Sequence, residues 1–272
     1  MPNPHLPAEL LDHIVDFLHD TEDALRSCCL ASKSWIPRVR MHLFADIRFN
    51  ATWLESWKAI FPDPSTSPAY YAKTLFINCP QVVAAADAEA GGWIRGFSRV
   101  MHLEVVDDQK TQQGTFPSES AISLLPFYGF SPVVKSLRVT IGIRIPPSQI
   151  FNLVPSFPIL EDLTVITGQY QVLTNDPDGL PATVHHSAPP MTGSLTLLHR
   201  EGLKLLAPRL LALPGGIRFQ KLTLKLLRKE DPSLATALVE ACSHTLKYLD
   251  ISCEHLGMSI RYRIYANNSL FF

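Results

Sequence analysis

Cys242-Ser243-His244 and Cys253-Glu254-His255 carry two thiols and two imidazoles, the side chains that hold zinc. The residues between them, Leu246-Lys247-Tyr248-Leu249-Asp250-Ile251, have strand composition, and extended backbone at roughly 3.3 Å per residue would hold the two pairs about 20 Å apart. A shared ion is thereby excluded. His102 and Glu104 alternate onto one side of another strand candidate, a pair able to exchange a proton, but neither has a nucleophile or metal partner nearby in sequence. The adjacent His185-His186 do not make a compact ligand set, and Asp176-Pro177-Asp178-Gly179 lacks the further spaced oxygens of a calcium loop. That stretch reads as a turn. There is no P-loop, dinucleotide fingerprint or nucleophile elbow, and Gly91-Gly92 lies in an apolar connection without phosphate-binding context. The expectation is a non-catalytic chain with no metal and no cofactor.

The N-terminal stretch has a different character. Pro7 suits the first turn of a helix in which Leu10, Ile14, Phe17 and Leu18 recur at helical spacing, with Glu9, Asp12, Asp16 and Asp20 on the remaining surface. Thr21 can cap a second helix that opens with Glu22 and Asp23 and carries Leu25, Cys28, Cys29 and Leu30 on its apolar side. A third helix starts near Ser34, with Pro37 in its first turn and Ile36, Val39 and Leu43 on one side. Three short helices bury only a small share of their surface, so this trio has more apolar side chains than its own core needs. The surplus can face a partner or cap the rest of the chain.

Leu6-Pro7, Glu9-Leu10-Leu11, Ile14, Phe17-Leu18, Leu25, Cys28, Leu30, Trp35, Val39 and Leu43-Phe44 together resemble an F-box, over about the first forty-five residues. The resemblance implies docking on the Skp1 adaptor, and through it on a cullin scaffold and a RING protein, with the rest of the chain selecting a protein substrate for a ubiquitin ligase. Carried over by position, Leu6, Pro7, Leu10, Ile14, Leu18, Cys28, Cys29, Leu30 and Trp35 would contact the adaptor, and Leu11, Phe17, Leu25, Val39 and Leu43 would form the internal core.

Beyond the trio, residues 49–72 read as a helical and proline-rich junction, in which Trp53 and Trp57 can share a helix face and pack. From residue 73 onward short strand candidates recur. Taking Leu75, Leu103, Leu137, Leu163, Leu195, Leu222 and Leu249 as equivalent gives intervals between 26 and 34 residues, near the period of a leucine-rich repeat. Intervening segments at 87–97, 120–127, 149–153, 203–213 and 234–242 can supply returning helices. The expected fold is therefore α/β: a three-helix F-box-like domain over 1–48, the junction, and over 73–272 an irregular leucine-rich-repeat-like solenoid with a curved parallel sheet. This arrangement is similar to F-box proteins of mushroom-forming fungi. The end at Leu270-Phe271-Phe272 is abrupt, as though a C-terminal cap were incomplete.

Polar loops at 107–114, 175–181 and 187–190 are candidates for target contact. A net charge of -1 and a pI near 6.8 give no general attraction to nucleic acid or an acidic membrane. No apolar run spans a bilayer, no targeting segment opens the chain, and five cysteines make no disulfide framework. The expected location is intracellular, cytoplasmic or nuclear. The alternative function is a leucine-rich-repeat structural or signalling interaction protein outside any ligase.

Overall fold

The computed structural model describes residues 7–49, 51–63, 66–78, 94, 96–106, 131–141, 149–150, 153–167, 190–198, 200–213, 215–227, 232–253 and 258–263. The trio consists of α1 (Ala8–Phe17), α2 (Glu22–Ala31) and α3 (Ile36–Leu43), with a 3-10 turn at Lys33–Trp35 leading into α3. Pro7 stands just outside α1, where its carbonyl accepts the N–H groups of Leu10 and Leu11 at 3.1 and 3.2 Å. Thr21 occupies the equivalent place before α2, but it contributes its carbonyl to Leu25 and its side chain forms no cap bond.

After the trio come β1 (Asp46–Phe49), α4 (Ala51–Ile60), β2 (Thr74–Asn78), β3 (His102–Val106), β4 (Ser136–Ile141) and β5 (Asp162–Thr167). They are followed by β6 (Met191–Leu198), α5 (Arg200–Leu211), β7 (Ile217–Leu227), α6 (Pro232–Ala241), β8 (Tyr248–Cys253) and β9 (Met258–Arg263). Among the described residues these strands form one nine-stranded sheet in chain order. β1 to β8 are parallel, and β9 returns antiparallel to β8.

The seven leucines taken as equivalent are equivalent in space. Leu75, Leu103, Leu137, Leu163, Leu195, Leu222 and Leu249 sit opposite one another in successive registers, and Ile47 of β1 extends the row. A second row, from Phe49 and Ile77 through Val105, Val139, Val165 and Leu197 to Leu224, lies two residues further along on the same face. Both rows are buried and form one continuous core with α5 and α6, through Leu203, Leu206, Leu210, Ala235 and Leu238.

One backbone device repeats at the start of successive strands and fixes their register. The carbonyl of Ala45 accepts the N–H groups of Lys73 and Thr74, that of Lys73 accepts those of Met101 and His102, that of Met101 accepts those of Lys135 and Ser136, and that of Lys135 accepts those of Glu161 and Asp162. At β6 the pattern changes. Only Ser194 bonds Glu161, at 2.7 Å, Gly193 takes φ +86°, and the register shifts.

The sheet is open and not strongly curled, which corrects the expected curved leucine-rich-repeat solenoid. Curl needs a thick layer on one side at every unit, and the connections here are unequal. Among the described residues, full helices α4, α5 and α6 precede β2, β7 and β8, whereas β5 is preceded by helical residues at 149–150 and 153 and the 3-10 turn Val154–Ser156. Taken whole, the chain is not a clear F-box and leucine-rich-repeat arrangement. The expected helix at 120–127 lies outside the described residues, as do the loops at 107–114 and 175–181, residues 187–189 of the third loop and most of the segment 87–97.

The junction was expected to pack both tryptophans. Trp57 packs against Phe44, Phe49, Phe61 and Phe97, with ring centroids 4.9 to 6.2 Å away, while Trp53 is 65% exposed. No helix among the described residues is long and apolar enough to cross a membrane.

Candidate docking surface

α1 carries two apolar stripes at helical spacing. Val15, fully buried, and the partly buried Leu18 pack into a small core with Leu25, Cys28 and Val39, flanked by Cys29, Trp35 and Leu43. The neighbouring stripe of Leu10, Ile14 and Phe17 faces outward, and with His13 and Leu18 it lines an apolar groove of about 370 Å³. Phe17 is 86% exposed, and Leu30 on α2 is 90% exposed. The trio seals its core with side chains from one stripe and leaves the other uncovered.

The structure thus redistributes the proposed contact residues. Pro7, Leu10, Ile14 and Leu30 are exposed, whereas Leu18, Cys29 and Trp35 are half-buried against the core. Cys28 belongs to the core instead of the contact, and Phe17 to the exposed face instead of the core. Leu6 lies outside the described residues. Val15, the central core residue of α1, was missed because the leucine and phenylalanine stripe beside it carries the larger hydrophobic signal.

A polar clamp holds this geometry. Arg38 on α3 donates from Nε to Oδ1 of Asp16 at 2.6 Å and from its terminal nitrogen to Oδ2, while His42 lies 2.8 Å from Oδ1 through Nε2. A carboxylate can only accept, so the His42 Nε2 carries the proton. The Arg38 hydrogen bonds above all, then that of His42, hold the Asp16 carboxyl well below the usual carboxylate range. Sequence reading placed Asp16 among solvated acids, since its partners lie 22 and 26 residues away and leave no local signal.

Because the folded-state pKa is depressed, the clamp's contribution is present above the unfolded value near 3.9 and lost as pH falls through the folded one. The pair is about one-third exposed, which screens it. Asp16→Asn is expected to cost about 1 kcal/mol at neutral pH. Paired thermal unfolding of parent and variant should show that difference shrinking below about pH 4.

The remaining chemical candidates stay dispersed. His102 and Glu104 lie on the same side of β3 as expected, opposite the core residues Leu103 and Val105, but Glu104 pairs with Arg138 at 3.3 Å. Cys242 is buried, where desolvation raises its thiol pKa, and His255 and the His185-His186 pair lie outside the described residues. Among the described residues no group of three or more His, Cys, Asp and Glu could hold a metal. No family model, curated protein or solved structure matches the chain.

Proposed function

We propose that the protein is a non-catalytic substrate adaptor of a Skp1-cullin type ubiquitin ligase. The N-terminal helices dock on a Skp1-like subunit, and the sheet domain holds a protein target. The supporting observation is the uncovered stripe of Leu10, Ile14 and Phe17 beside a core already closed by Val15, Leu25, Cys28 and Val39. An apolar helix face held in place by a polar clamp is preorganised for a partner and loses little freedom on binding. Location in the cytoplasm or nucleus goes with this reading.

The purified full chain should form a stable complex with purified Skp1. A Leu10→Glu/Ile14→Glu variant should lose at least about 100-fold in affinity, because it places two charges where apolar area would be buried. Both positions are exposed, so the variant should unfold at close to the parent temperature. A folded parent that does not bind Skp1 would make the chain an interaction protein outside such ligases.

A further inference from the structure

The turns that lead into β2, β3, β4 and β5 share one construction. Counted back from the equivalent leucines, residues 69–72, 97–100, 131–134 and 157–160 fill the same four places. The first place is buried in each. Ala69, Phe97 and Phe157 enter the core there, and Ser131 donates its hydroxyl to the carbonyls of Ser98 and Val100 at 3.2 and 3.0 Å, tying two turns together. The second place is exposed in all four turns, and the third in all but that of Tyr71, which is half-buried. Because the strands pair in register, the turns stack about 4.8 Å apart into a ridge about 14 Å long. Its crest is apolar at Tyr70, Val133 and Ile159, which are 47%, 36% and 43% exposed, and at Pro132 and Pro158. Ser98 and Arg99 hold the same places before β3, so the turn itself does not require apolar side chains. The Arg99 guanidinium lies 4.0 Å from the Tyr70 ring centroid, Lys73 and Lys135 are exposed just after their turns, and Glu161 pairs with Lys135 at 2.9 Å. Three cations thus stand against one acid.

The first two helices have the converse character. Across 8–31, Glu9, Asp12, Asp16, Asp20, Glu22 and Asp23 stand against one base, Arg26, on the helices that carry the exposed Leu10, Ile14 and Phe17. We propose that the α1 stripe of one copy of the chain docks on the ridge of a second copy. The ten residues of α1 span about 15 Å with a pitch of about 5.4 Å, which matches turns spaced about 4.8 Å along a ridge of nearly the same length. An extended segment repeats about every 6.6 Å and would fall about 5 Å out of step across the ridge. Within one chain both surfaces are exposed, so the contact forms between copies, head to tail. A lipid surface buries apolar side chains about 5–10 Å deep, whereas the crest residues are less than half exposed and set into their turns. Self-association covers the docking stripe, and a Skp1-like subunit competes with it. That consequence rests on the adaptor reading; the association does not.

Sedimentation velocity of the full chain should show association that grows with concentration at micromolar levels and weakens as salt rises. Val133→Glu/Ile159→Glu and Leu10→Glu/Ile14→Glu should each weaken it at least about tenfold. Mixed, the two variants should pair, because one keeps the stripe and the other the ridge, and the product should stop at a dimer. Lys73→Gln/Lys135→Gln should weaken association less and remove most of its salt dependence. Val133→Ser/Ile159→Ser carries the comparison if the Glu ridge variant does not fold. A monomeric parent, a ridge variant that associates like the parent, or a mixture that stays monomeric would overturn the proposal. A monomeric parent that sediments with vesicles of phosphatidylcholine and phosphatidylserine would make the ridge a lipid surface instead. The ridge variant should bind Skp1 at least as tightly as the parent, so absence of Skp1 binding and absence of pairing are separate results.

Discussion

Gly193→Ala is expected to destabilise the protein by about 3 kcal/mol or more. In thermal unfolding this corresponds to a fall in Tm of roughly 6–12 °C. Two costs combine. The φ of +86° is a conformation that an alanine adopts only with strain, and the new Cβ would lie 1.7 Å from the Glu161 carbonyl oxygen. That oxygen cannot swing aside like a flexible side chain, because it belongs to the strand-start device and accepts the Ser194 N–H. Relief requires β6 to move away from β5 or the bulge to disappear, and either change shifts Leu195 and Leu197 in the core. Gly216 provides the comparison, since its φ is +67° but a Cβ there meets nothing within 4 Å. Gly216→Ala should therefore cost only about 1 kcal/mol, the conformational part alone. Equal losses at the two glycines would show that the carbonyl contact does not matter.

The parallel sheet was legible in sequence because one of its core rows repeats leucine at the same place in seven successive strands. Leu75 through Leu249 carry the register, and a slip by one residue would turn the whole row to the other face. Curvature was not legible, since it depends on the thickness of the connections and not on the leucine spacing. β9 was missed for another reason. Its partner in sequence is the preceding strand, and Ser259-Ile260-Arg261-Tyr262-Arg263 has neither the leucine nor the interval of the other units. In the trio, helical periodicity found the apolar side of α1 but could not separate two adjacent stripes. Only packing against Leu25 and Val39 shows that Val15 faces inward and Phe17 does not. The Arg38 and His42 clamp on Asp16 depends on pairings between distant segments and was legible only after folding.

Phe49→Ala should be comparably damaging, at about 3–5 kcal/mol, through the cavity left by a ring that is 1% exposed. The position matters beyond its volume. Phe49 meets Trp57 edge-on at 5.4 Å and Phe97 at 5.7 Å, while Trp57 also meets Phe44 just after α3. Aromatic pairs of this kind add about 0.5–1.5 kcal/mol beyond area burial. The ring therefore links the first strand to the residue that closes the helical trio, at the end of the sheet where, among the described residues, β1 pairs only with β2. Removing it should loosen that junction before the rest of the sheet. Tryptophan fluorescence should shift to longer wavelength as Trp57 becomes hydrated, and hydrogen exchange should accelerate first in β1 and β2. Phe49→Leu, which keeps much of the volume and none of the ring geometry, should cost about 1–2 kcal/mol. If Phe49→Ala instead raised exchange uniformly through β8, the aromatic cluster would be one part of a single cooperative core and not a local joint between trio and sheet.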